Sequence, residues 1–161
     1  MGVNLKAKDI MKKKVITINQ SATISELSVL LKENKITGVP VVDDNNKLVG
    51  IISAADVIKR CDYVSKELAK YEDEPEYDPY DGCVHYHRYF TEEFFDARVK
   101  DLMSTPVYSM SPEDSLIDVC KRLSEKHIHR VILAENNEIK GIIATLDIVA
   151  LFSEGRAEII K

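Results

Sequence analysis

Two stretches of the sequence place an aspartate at the same distance behind a Gly-Ile-Ile segment. They run from Gly50 to Asp56 and from Gly141 to Asp147. A carboxylate beside a hydroxyl, as in Ser53-x-x-Asp56, can accept two hydrogen bonds from a sugar diol, and such charge-assisted bonds are strong where water is excluded. Helix capping is the alternative explanation for an aspartate at a helix start. Because the pattern occurs twice after the same segment, it favours ligand binding over capping alone.

A basic segment, His127-Ile128-His129-Arg130, precedes the second Gly-Ile-Ile segment. The Arg130 guanidinium could hold a phosphate through two hydrogen bonds, and His129 could add a titratable donor. The first copy has Lys35-Ile36-Thr37-Gly38 there, so the position of Arg130 carries no cation in that copy. Gly38 has no side chain and could let a ligand approach the backbone. A solvated basic turn is the alternative explanation for His129 and Arg130.

Cys83, His85 and His87 stand at alternate positions, which would place a thiolate and two imidazoles on one side of an extended segment. Such a set could bind zinc, although a complete zinc site needs a fourth ligand. The sequence contains no nucleophile elbow, glycine-rich phosphate loop or kinase motif that would indicate catalysis. We therefore expect no catalytic residues, no required cofactor and no enzymatic activity.

The composition is that of an ordinary globular protein. Of the 161 residues, 45% are hydrophobic and 30% are charged, and the net charge is −5. An acidic chain lacks the broad basic surface that binds nucleic acid, so we expect no nucleic-acid partner. No secretory signal is visible and the apolar stretches are too short to span a bilayer, so we expect no membrane association. The three scattered cysteines fit a reducing environment, and the sequence predicts a cytoplasmic protein.

The two aspartate segments belong to a longer internal repeat. Residues 8–11 match residues 100–103 at a separation of 92, and this separation holds as far as Ile36 and Ile128. From the two Gly-Ile-Ile segments onwards the separation is 91. The change falls in an Asn-rich stretch, where turns tolerate a difference in length. A register kept on both sides of one deletion indicates duplication.

Each copy predicts the same order of elements, β-α-β-β-α. A short apolar run comes first, then an amphipathic helix, then two strands joined by an Asn-rich turn, and a last helix begins near the aspartate. One helix start is predicted at Thr23-Ile24-Ser25-Glu26, which has the form of a capping box, and the other at Ser111-Pro112-Glu113-Asp114, which places proline after an N-cap residue. The strands are predicted at 15–18, 39–42 and 48–53 in the first copy and at 107–110, 131–134 and 139–144 in the second.

One such copy has too little apolar surface to form a stable core, so the two copies must pack together. We predict an α+β fold of two β-α-β-β-α repeats packed sheet to sheet with pseudo-two-fold symmetry, which together form one compact module. The first repeat covers residues 1–60, an insert covers 61–96, and the second repeat covers 97–161. The expected elements around the insert are a helix at 57–70, an acidic loop at 71–82 and a helix at 91–103.

The chain resembles a tandem pair of cystathionine-β-synthase (CBS) domains, the arrangement called a Bateman module, in a stand-alone protein. The resemblance rests on Lys-Asp-Ile-Met at 8–11, on Lys-Ile-Thr-Gly-Val-Pro-Val-Val-Asp at 35–43 and on Leu-Val-Gly-Ile-Ile-Ser-Ala-Ala-Asp at 48–56, with their counterparts in the second copy. It implies that AMP, ADP, ATP or another adenosyl compound binds in two clefts between the repeats. It also implies a regulatory homodimer that pairs through its helices and acts on an unidentified protein.

The resemblance assigns roles to the site residues. The aspartates hold ribose, apolar and backbone groups surround adenine, and basic residues meet the phosphate. One cleft would use Asp147 and the adjacent Thr145 for ribose, Ile16, Ile36, Thr37, Gly38 and Pro40 for adenine, and His129 and Arg130 for phosphate. The other would use Ser53 and Asp56 for ribose, with Tyr108, Ile128 and Val131 around the base.

The second copy departs from the family pattern at two positions. Ala144 stands where Ser or Thr is expected, and Ile132 stands where the first copy has Pro40. We therefore expect the cleft of the first copy's aspartate to have the better ribose end and the cleft of Asp147 the better phosphate end. The departures also support a second hypothesis, a ligand-free dimerisation or docking module. A metal-binding protein that uses the insert is a third.

Overall fold

The computed structural model of the protein describes residues 5–60, 94 and 96–156. The possible metal ligands of the insert and its acidic loop lie outside these ranges. Among the helices that are described, none is both long and apolar enough to cross a lipid bilayer. The strands are β1 (Ile18–Asn19), β2 (Gly38–Val42), β3 (Leu48–Ser53), β4 (Ser109–Met110), β5 (Arg130–Glu135) and β6 (Glu138–Ala144). The helices are α1 (Ile24–Asn34), α2 (helical from 54 to 60, the last described residue there), α3 (Val99–Leu102), α4 (Leu116–Glu125) and α5 (Thr145–Ser153).

The strands form two three-stranded sheets, ordered β1-β2-β3 and β4-β5-β6. In the second sheet β4 runs parallel to β5, and β5 pairs antiparallel with β6 so that Arg130 lies opposite Ala144. Every residue of β2 is buried, as expected of a central strand, whereas β3 alternates between buried and half-buried positions. The α+β class and the two copies of the β-α-β-β-α order are confirmed.

The sequence predicts one helix start correctly and misplaces the other. Thr23 Oγ1 accepts a hydrogen bond from the Glu26 N–H at 3.1 Å, and the Thr23 N–H donates to the Glu26 carboxylate at 2.7 Å, as in a capping box. The predicted cap at Ser111 is wrong, because α4 begins after Ser115. The Ser111 N–H donates instead to the Asp114 carboxylate at 2.9 Å. This local bond closes a turn that competes with the helix.

The first strand of each copy is shorter than predicted. β1 and β4 are two residues long, whereas the apolar runs cover 15–18 and 107–110. The chain before each run pairs with a different strand, at Lys12 and at Ser104. Only the last residues of each run therefore reach the edge of the sheet.

The helix predicted over 91–103 is interrupted. Arg98 is extended, with φ −87° and ψ 147°, and α3 begins after it. Arg98 forms a backbone bridge with Thr23, which draws the chain out of the helical conformation at this point.

The one-residue difference between the copies lies in the hairpin turns, as predicted. Asn136 and Asn137 both adopt left-handed backbone, with φ 51° and 61°, the conformation of a tight two-residue turn. The first copy has a longer turn, in which the Asp43 carboxylate accepts from the N–H groups of Asn45 at 2.9 Å and Lys47 at 2.8 Å. The extra residue therefore lies in a turn that the Asp43 side chain stabilises.

The described residues group into two compact units that do not follow the order of the chain. We call them the Asp147 unit and the Asp56 unit. The Asp147 unit is drawn from Met1–Thr17, Val42–Val49 and Pro106–Lys161, and the Asp56 unit from Ile18–Val41 and Gly50–Thr105. Each unit thus contains the Lys-Asp-Ile-Met or Lys-Asp-Leu-Met segment of the opposite copy. The buried core of the Asp147 unit consists of Ala7, Met110, Val119, Leu123, Val131, Leu133 and Ile143.

These exchanged segments explain the glycine of each Gly-Ile-Ile strand. Met11 packs over Gly141, where an added Cβ would lie 2.9 Å from Met11 Cγ. Met103 packs over Gly50 with the same 2.9 Å separation. A Cβ at either glycine would crowd the methionine, which would have to shift, so glycine favours this close approach.

The residue after each methionine pairs with the strand that it crosses. The Lys12 N–H donates to the Ile142 carbonyl oxygen at 2.9 Å, and the Ile142 N–H donates back at 3.1 Å. Ser104 and Ile51 make the same pair of bonds at 2.8 and 3.2 Å. This backbone pairing brings the side chains of Lys12 and Ser104 to the starts of α5 and α2.

Candidate functional site

Asp147 caps α5 with one carboxylate oxygen and meets a lysine with the other. The Ala144 N–H donates to Asp147 Oδ2 at 2.8 Å, which satisfies a donor at the helix start. Lys12 Nζ lies 2.6 Å from Asp147 Oδ1. The Asp147 side chain is 12% exposed and that of Lys12 is 67% exposed, so the ammonium lies on the solvent side of a nearly buried carboxylate.

Asp56 caps α2 in the same way but meets a hydroxyl. The Ser53 N–H and the Ser53 hydroxyl both donate to Asp56 Oδ2, at 2.8 and 2.5 Å. The Ser104 hydroxyl donates to Asp56 Oδ1 at 3.3 Å. Ser104 therefore occupies the place that Lys12 holds beside Asp147.

Both aspartates are helix caps, and both keep a second oxygen that the cap does not use. Each Oδ1 meets a side chain of the exchanged segment, an ammonium at Asp147 and a hydroxyl at Asp56. A carboxylate held rigidly by its cap is a preorganised acceptor, which lowers the entropic cost of binding a donor such as a diol. Capping and ligand binding are therefore compatible at these positions.

His129 and Arg130 lie at the start of α5 in the Asp147 unit. The Thr145 N–H and hydroxyl both donate to the His129 carbonyl oxygen, at 3.0 and 3.1 Å, and Arg130 is the strand partner of Ala144. Backbone contacts thus bring His129, Arg130 and Asp147 to one helix end. A carboxylate and a guanidinium so arranged could bind a ligand that carries both hydroxyl groups and negative charge.

The corresponding three positions of the Asp56 unit carry no cation. The Ala54 N–H donates to the Thr37 carbonyl oxygen at 2.9 Å, so Thr37 and Gly38 hold the places of His129 and Arg130. With Ser104 in place of Lys12, the side chains at these three positions carry no formal charge.

The presence of glycine at position 38 has a structural explanation that does not involve a ligand. An added Cβ would lie 2.9 Å from the Ile52 carbonyl oxygen and 3.0 Å from Ser53 Cβ. The close approach of β2 to β3 therefore excludes a side chain here.

The residues assigned to the nucleobase differ in exposure. Tyr108 is 53% exposed, and Lys126 Nζ lies 5.3 Å from the centre of its ring. Ile16, Ile36 and Ile128 are half-buried, Thr37 is exposed, and Pro40 is buried. Val131 is completely buried in the core of the Asp147 unit, so its side chain faces the core.

The two units divide the assigned residues differently from the two clefts to which the resemblance assigned them. The Asp147 unit contains Ile16, Tyr108, Ile128, His129, Arg130, Val131, Thr145 and Asp147, and the Asp56 unit contains Ile36, Thr37, Gly38, Pro40, Ser53 and Asp56. Sequence reasoning missed Lys12 and Ser104, which contact the two aspartates. The repeat aligns them, since they are 92 residues apart directly after the matching methionines. Nothing local in the sequence indicates that each segment crosses to the other copy.

Two further features lie away from this site. A cavity of about 370 Å³ in the Asp147 unit is lined by Lys13, Val15, Thr17, Val42, Asn46 and residues 138–140, and none of these was assigned to the ligand. Among the described residues, no three His, Cys, Asp or Glu side chains are grouped to hold a metal ion.

Comparison with known proteins places the chain among proteins with the same repeated domain. The family model of the CBS domain matches residues 7–63 and 99–154, which is more than half of the chain. An uncharacterized protein of Methanocaldococcus jannaschii is 30% identical over 151 residues, covering 93% of this chain and 40% of that protein. The chain spans about two fifths or less of the length of the curated relatives that it matches first.

Solved structures support the same fold. A CBS domain pair in complex with 5′-methylthioadenosine and S-adenosyl-L-methionine has a TM-score of 0.65 and 23% identity, covering 94% of this chain and 98% of that chain. The protein CBSX2 in complex with AMP has a TM-score of 0.69 and 21% identity over the same shares. At these identities the likeness establishes the fold.

Proposed function

Since the chain belongs to the CBS domain family, with two copies of the domain in tandem, we propose that it is a regulatory module that binds AMP, ADP, ATP or another adenosyl compound. Asp56 and Asp147 hold the ribose. The ligand state alters the geometry of a homodimer, and the dimer acts on a partner protein. A ligand can alter that geometry to the extent that it binds two dimer states with different affinity.

The observation that carries this proposal is the second oxygen of each aspartate. Asp147 Oδ2 and Asp56 Oδ2 are used by the helix caps, whereas each Oδ1 faces a side chain that a ligand can replace. A ribose diol needs an acceptor that is fixed and reachable, and both aspartates supply one. The adenosyl ligands of two structurally similar proteins support this choice of ligand class.

The other assigned residues keep their proposed roles. The half-buried Ile16, Ile36 and Ile128 and the exposed face of Tyr108 are suited to contact adenine, with backbone groups of Thr37, Gly38 and Pro40. Val131 would contribute through its backbone, because its side chain is buried. His129 and Arg130 are suited to phosphate.

The proposal is tested by calorimetric titration of AMP, ADP, ATP and S-adenosylmethionine. We expect at least one of them to bind. Asp56→Ala and Asp147→Ala should each weaken binding at one site by about 10- to 100-fold, since a hydrogen bond to a charged group is worth about 1.5–3 kcal/mol. Asp118→Ala is the matched control, because Asp118 also accepts from its N-cap hydroxyl, at 2.6 Å, but lies on α4. If none of the four compounds binds, the proposal is wrong.

A homodimer is supported by an apolar stripe on α5. Leu146, Val149 and Phe152 are 77%, 55% and 48% exposed and stand three residues apart, so they share a helix face. The repeat places Ile58, 66% exposed on α2, at the position of Val149. Exposed apolar surface that recurs in both copies is typical of an interface.

Light scattering on the eluted protein tests this part of the proposal. Val149→Glu and Phe152→Glu should shift the protein from dimer to monomer, because each buries a charge in the apolar interface. Val29→Glu is the matched control, since Val29 is 51% exposed on α1, and it should leave the mass unchanged. A wild-type mass of one chain would contradict the dimer.

A ligand-free dimerisation or docking module is the second candidate. In the described part of the chain, no buried side-chain nitrogen or oxygen lacks a hydrogen-bond partner, and both aspartates are already satisfied by local donors. This candidate predicts the same dimer with and without nucleotide, and no binding heat from any of the four compounds.

A further inference from the structure

We propose that Lys12 is a specificity-determining residue that makes the Asp147 site select adenosyl ligands with a negatively charged group, whereas Ser104 leaves the Asp56 site without this preference. The inference rests on the proposed function. It concerns two residues to which neither the sequence motifs nor the family resemblance gave a role.

The first step is the position of the lysine. Lys12 Nζ lies 2.6 Å from Asp147 Oδ1, on the solvent side of a carboxylate that is 12% exposed. The other oxygen, Oδ2, is held by the N–H of Ala144. A diol that approaches Asp147 from solvent must therefore displace the ammonium from Oδ1.

The displaced Lys12 ammonium needs a new partner, and the ligand determines whether it finds one. A neutral nucleoside separates the Lys12–Asp147 ion pair and gives the ammonium no new partner. Part of the binding energy of the nucleoside is therefore lost. A nucleotide brings a phosphate that accepts hydrogen bonds from the ammonium. Lysine suits this exchange because its charge is carried on a flexible four-carbon chain with three rotatable donors.

Positive charge is concentrated at the start of α5. Arg130 pairs with Ala144 across the hairpin, and the His129 carbonyl oxygen accepts from Thr145 at the same helix end. Lys12 thus adds a second full positive charge to this end of the Asp147 unit. A phosphate that contacts both cations is bound more strongly than a phosphate that contacts only one of them, where water is partly excluded.

The Asp56 unit provides an internal comparison. Ser104 is the residue that the repeat aligns with Lys12, and its hydroxyl lies 3.3 Å from Asp56 Oδ1. A hydroxyl can either donate or accept, so a diol can take its place without separating charges. Thr37 and Gly38 stand where the other unit has His129 and Arg130. The Asp56 site should therefore bind adenosine and AMP with similar affinity.

The test compares adenosine with AMP by calorimetry on the full chain. Lys12→Ser gives the Asp147 site the residue of its counterpart, and Lys12→Arg retains the charge. Both substitutions change a side chain that is 67% exposed, so folding is preserved. Each is measured in the otherwise intact chain and with Asp56→Ala, which weakens binding at the other site.

In Lys12→Ser we expect AMP to bind about tenfold more weakly, because a charge-assisted contact is lost, and adenosine to bind up to about threefold more tightly, because no ion pair is broken. Lys12→Arg should restore the preference for AMP to within about threefold of wild type. In the reverse exchange, Ser104→Lys with Asp147→Ala should raise the preference of the Asp56 site for AMP by about fivefold. A residue with a purely structural role would shift both ligands equally.

Two results overturn the inference. If both ligands bind and Lys12→Ser leaves their affinity ratio unchanged, Lys12 does not set specificity, while the proposed function stands. If neither adenosine, AMP nor any other adenosyl compound binds the wild-type chain, the proposed function is wrong and the inference falls with it.

Discussion

The Asp147 unit and the Asp56 unit share a backbone arrangement and differ in charge. In both, a methionine from the exchanged segment packs over a glycine, and in both an aspartate caps the helix that follows. The side chain beside the unused carboxylate oxygen is an ammonium in one unit and a hydroxyl in the other. Duplication has preserved the scaffold and the two aspartates, while the side chains beside the unused carboxylate oxygens have diverged.

The divergence is concentrated at positions that the scaffold does not constrain. Lys12 is two-thirds exposed, and replacing it by serine would leave the backbone pairing with Ile142 intact, because that pairing uses main-chain atoms only. The glycines under the methionines have no such freedom. The comparison therefore separates residues needed for folding from residues available for specificity.

The largest expected effect tests whether the two scaffolds are equivalent. Ile52 and Ile143 occupy the same repeat position, and neither is exposed. We expect Ile52→Ala and Ile143→Ala each to lower the free energy of unfolding by about 2–5 kcal/mol, the usual cost of removing a buried aliphatic side chain. Urea denaturation measures this. Costs that differ by more than about 2 kcal/mol would show that the units are not equivalent.

A smaller effect tests the exchange of the segments. Gly50→Ala and Gly141→Ala should each lower the free energy of unfolding by about 1–3 kcal/mol, because the added Cβ crowds a methionine. Met11→Ala should relieve part of the cost of Gly141→Ala, and Met103→Ala part of the cost of Gly50→Ala. The crossed pairs should simply add, since each methionine packs on the glycine of its own unit. Relief in a crossed pair would contradict the packing.

The sequence predicted the elements well where local signals decide them. Short apolar runs joined by Asn-rich turns placed β2, β3, β5 and β6 within a residue or two, and Thr23 was correctly identified as a cap. Ser111 was misplaced because a serine followed by proline and acidic residues fits both a helix start and a turn. The repeat resolves this ambiguity, since Thr23 aligns with Ser115 at the separation of 92.

The candidate site was predictable only in part. Asp56 and Asp147 follow from the repeated motif, but their partners Lys12 and Ser104 come from segments that cross to the other copy. Such a crossing depends on contacts between residues 48 and 135 positions apart in the chain, and neither periodicity nor propensity encodes these. Gly38 was assigned to a ligand although the backbone of β3 explains it.

Salt should distinguish the partners of the two aspartates. Lys12→Ser should lower the free energy of unfolding by about 1 kcal/mol or less, because one member of the ion pair is largely solvated. Ser104→Ala should cost a similar or smaller amount, about 0.5 kcal/mol, for the loss of one long hydrogen bond. At 1 M salt the cost of Lys12→Ser should fall towards zero while that of Ser104→Ala stays the same. Denaturation at both salt concentrations measures the difference.

The smallest effect concerns two exposed glutamates with low pKa values. Hydrogen bonds from Lys6 at 2.6 Å and Lys8 at 2.7 Å lower the pKa of Glu113 from 4.5 to about 2 in the Asp147 unit. In the Asp56 unit, hydrogen bonds from the Thr23 N–H and hydroxyl lower the pKa of Glu26 from 4.5. Both folded pKa values lie below that of the unfolded chain. Each carboxylate therefore stabilises the fold fully above pH 4.5, and the contribution of Glu113 is lost as the pH falls towards about 2.

Salt should separate the two glutamates, because their pKa values have different causes. The pKa of Glu113 is set by two ammonium groups at the surface, which 1 M salt screens, so it should rise towards 4.5. The pKa of Glu26 is set mainly by a backbone N–H held in a helix cap, which carries no net charge and is little screened. Titration of the side-chain carboxyl carbons by NMR at low and high salt measures both values in one sample. Equal shifts would mean that ion pairing contributes as much to the pKa of Glu26 as it does to that of Glu113.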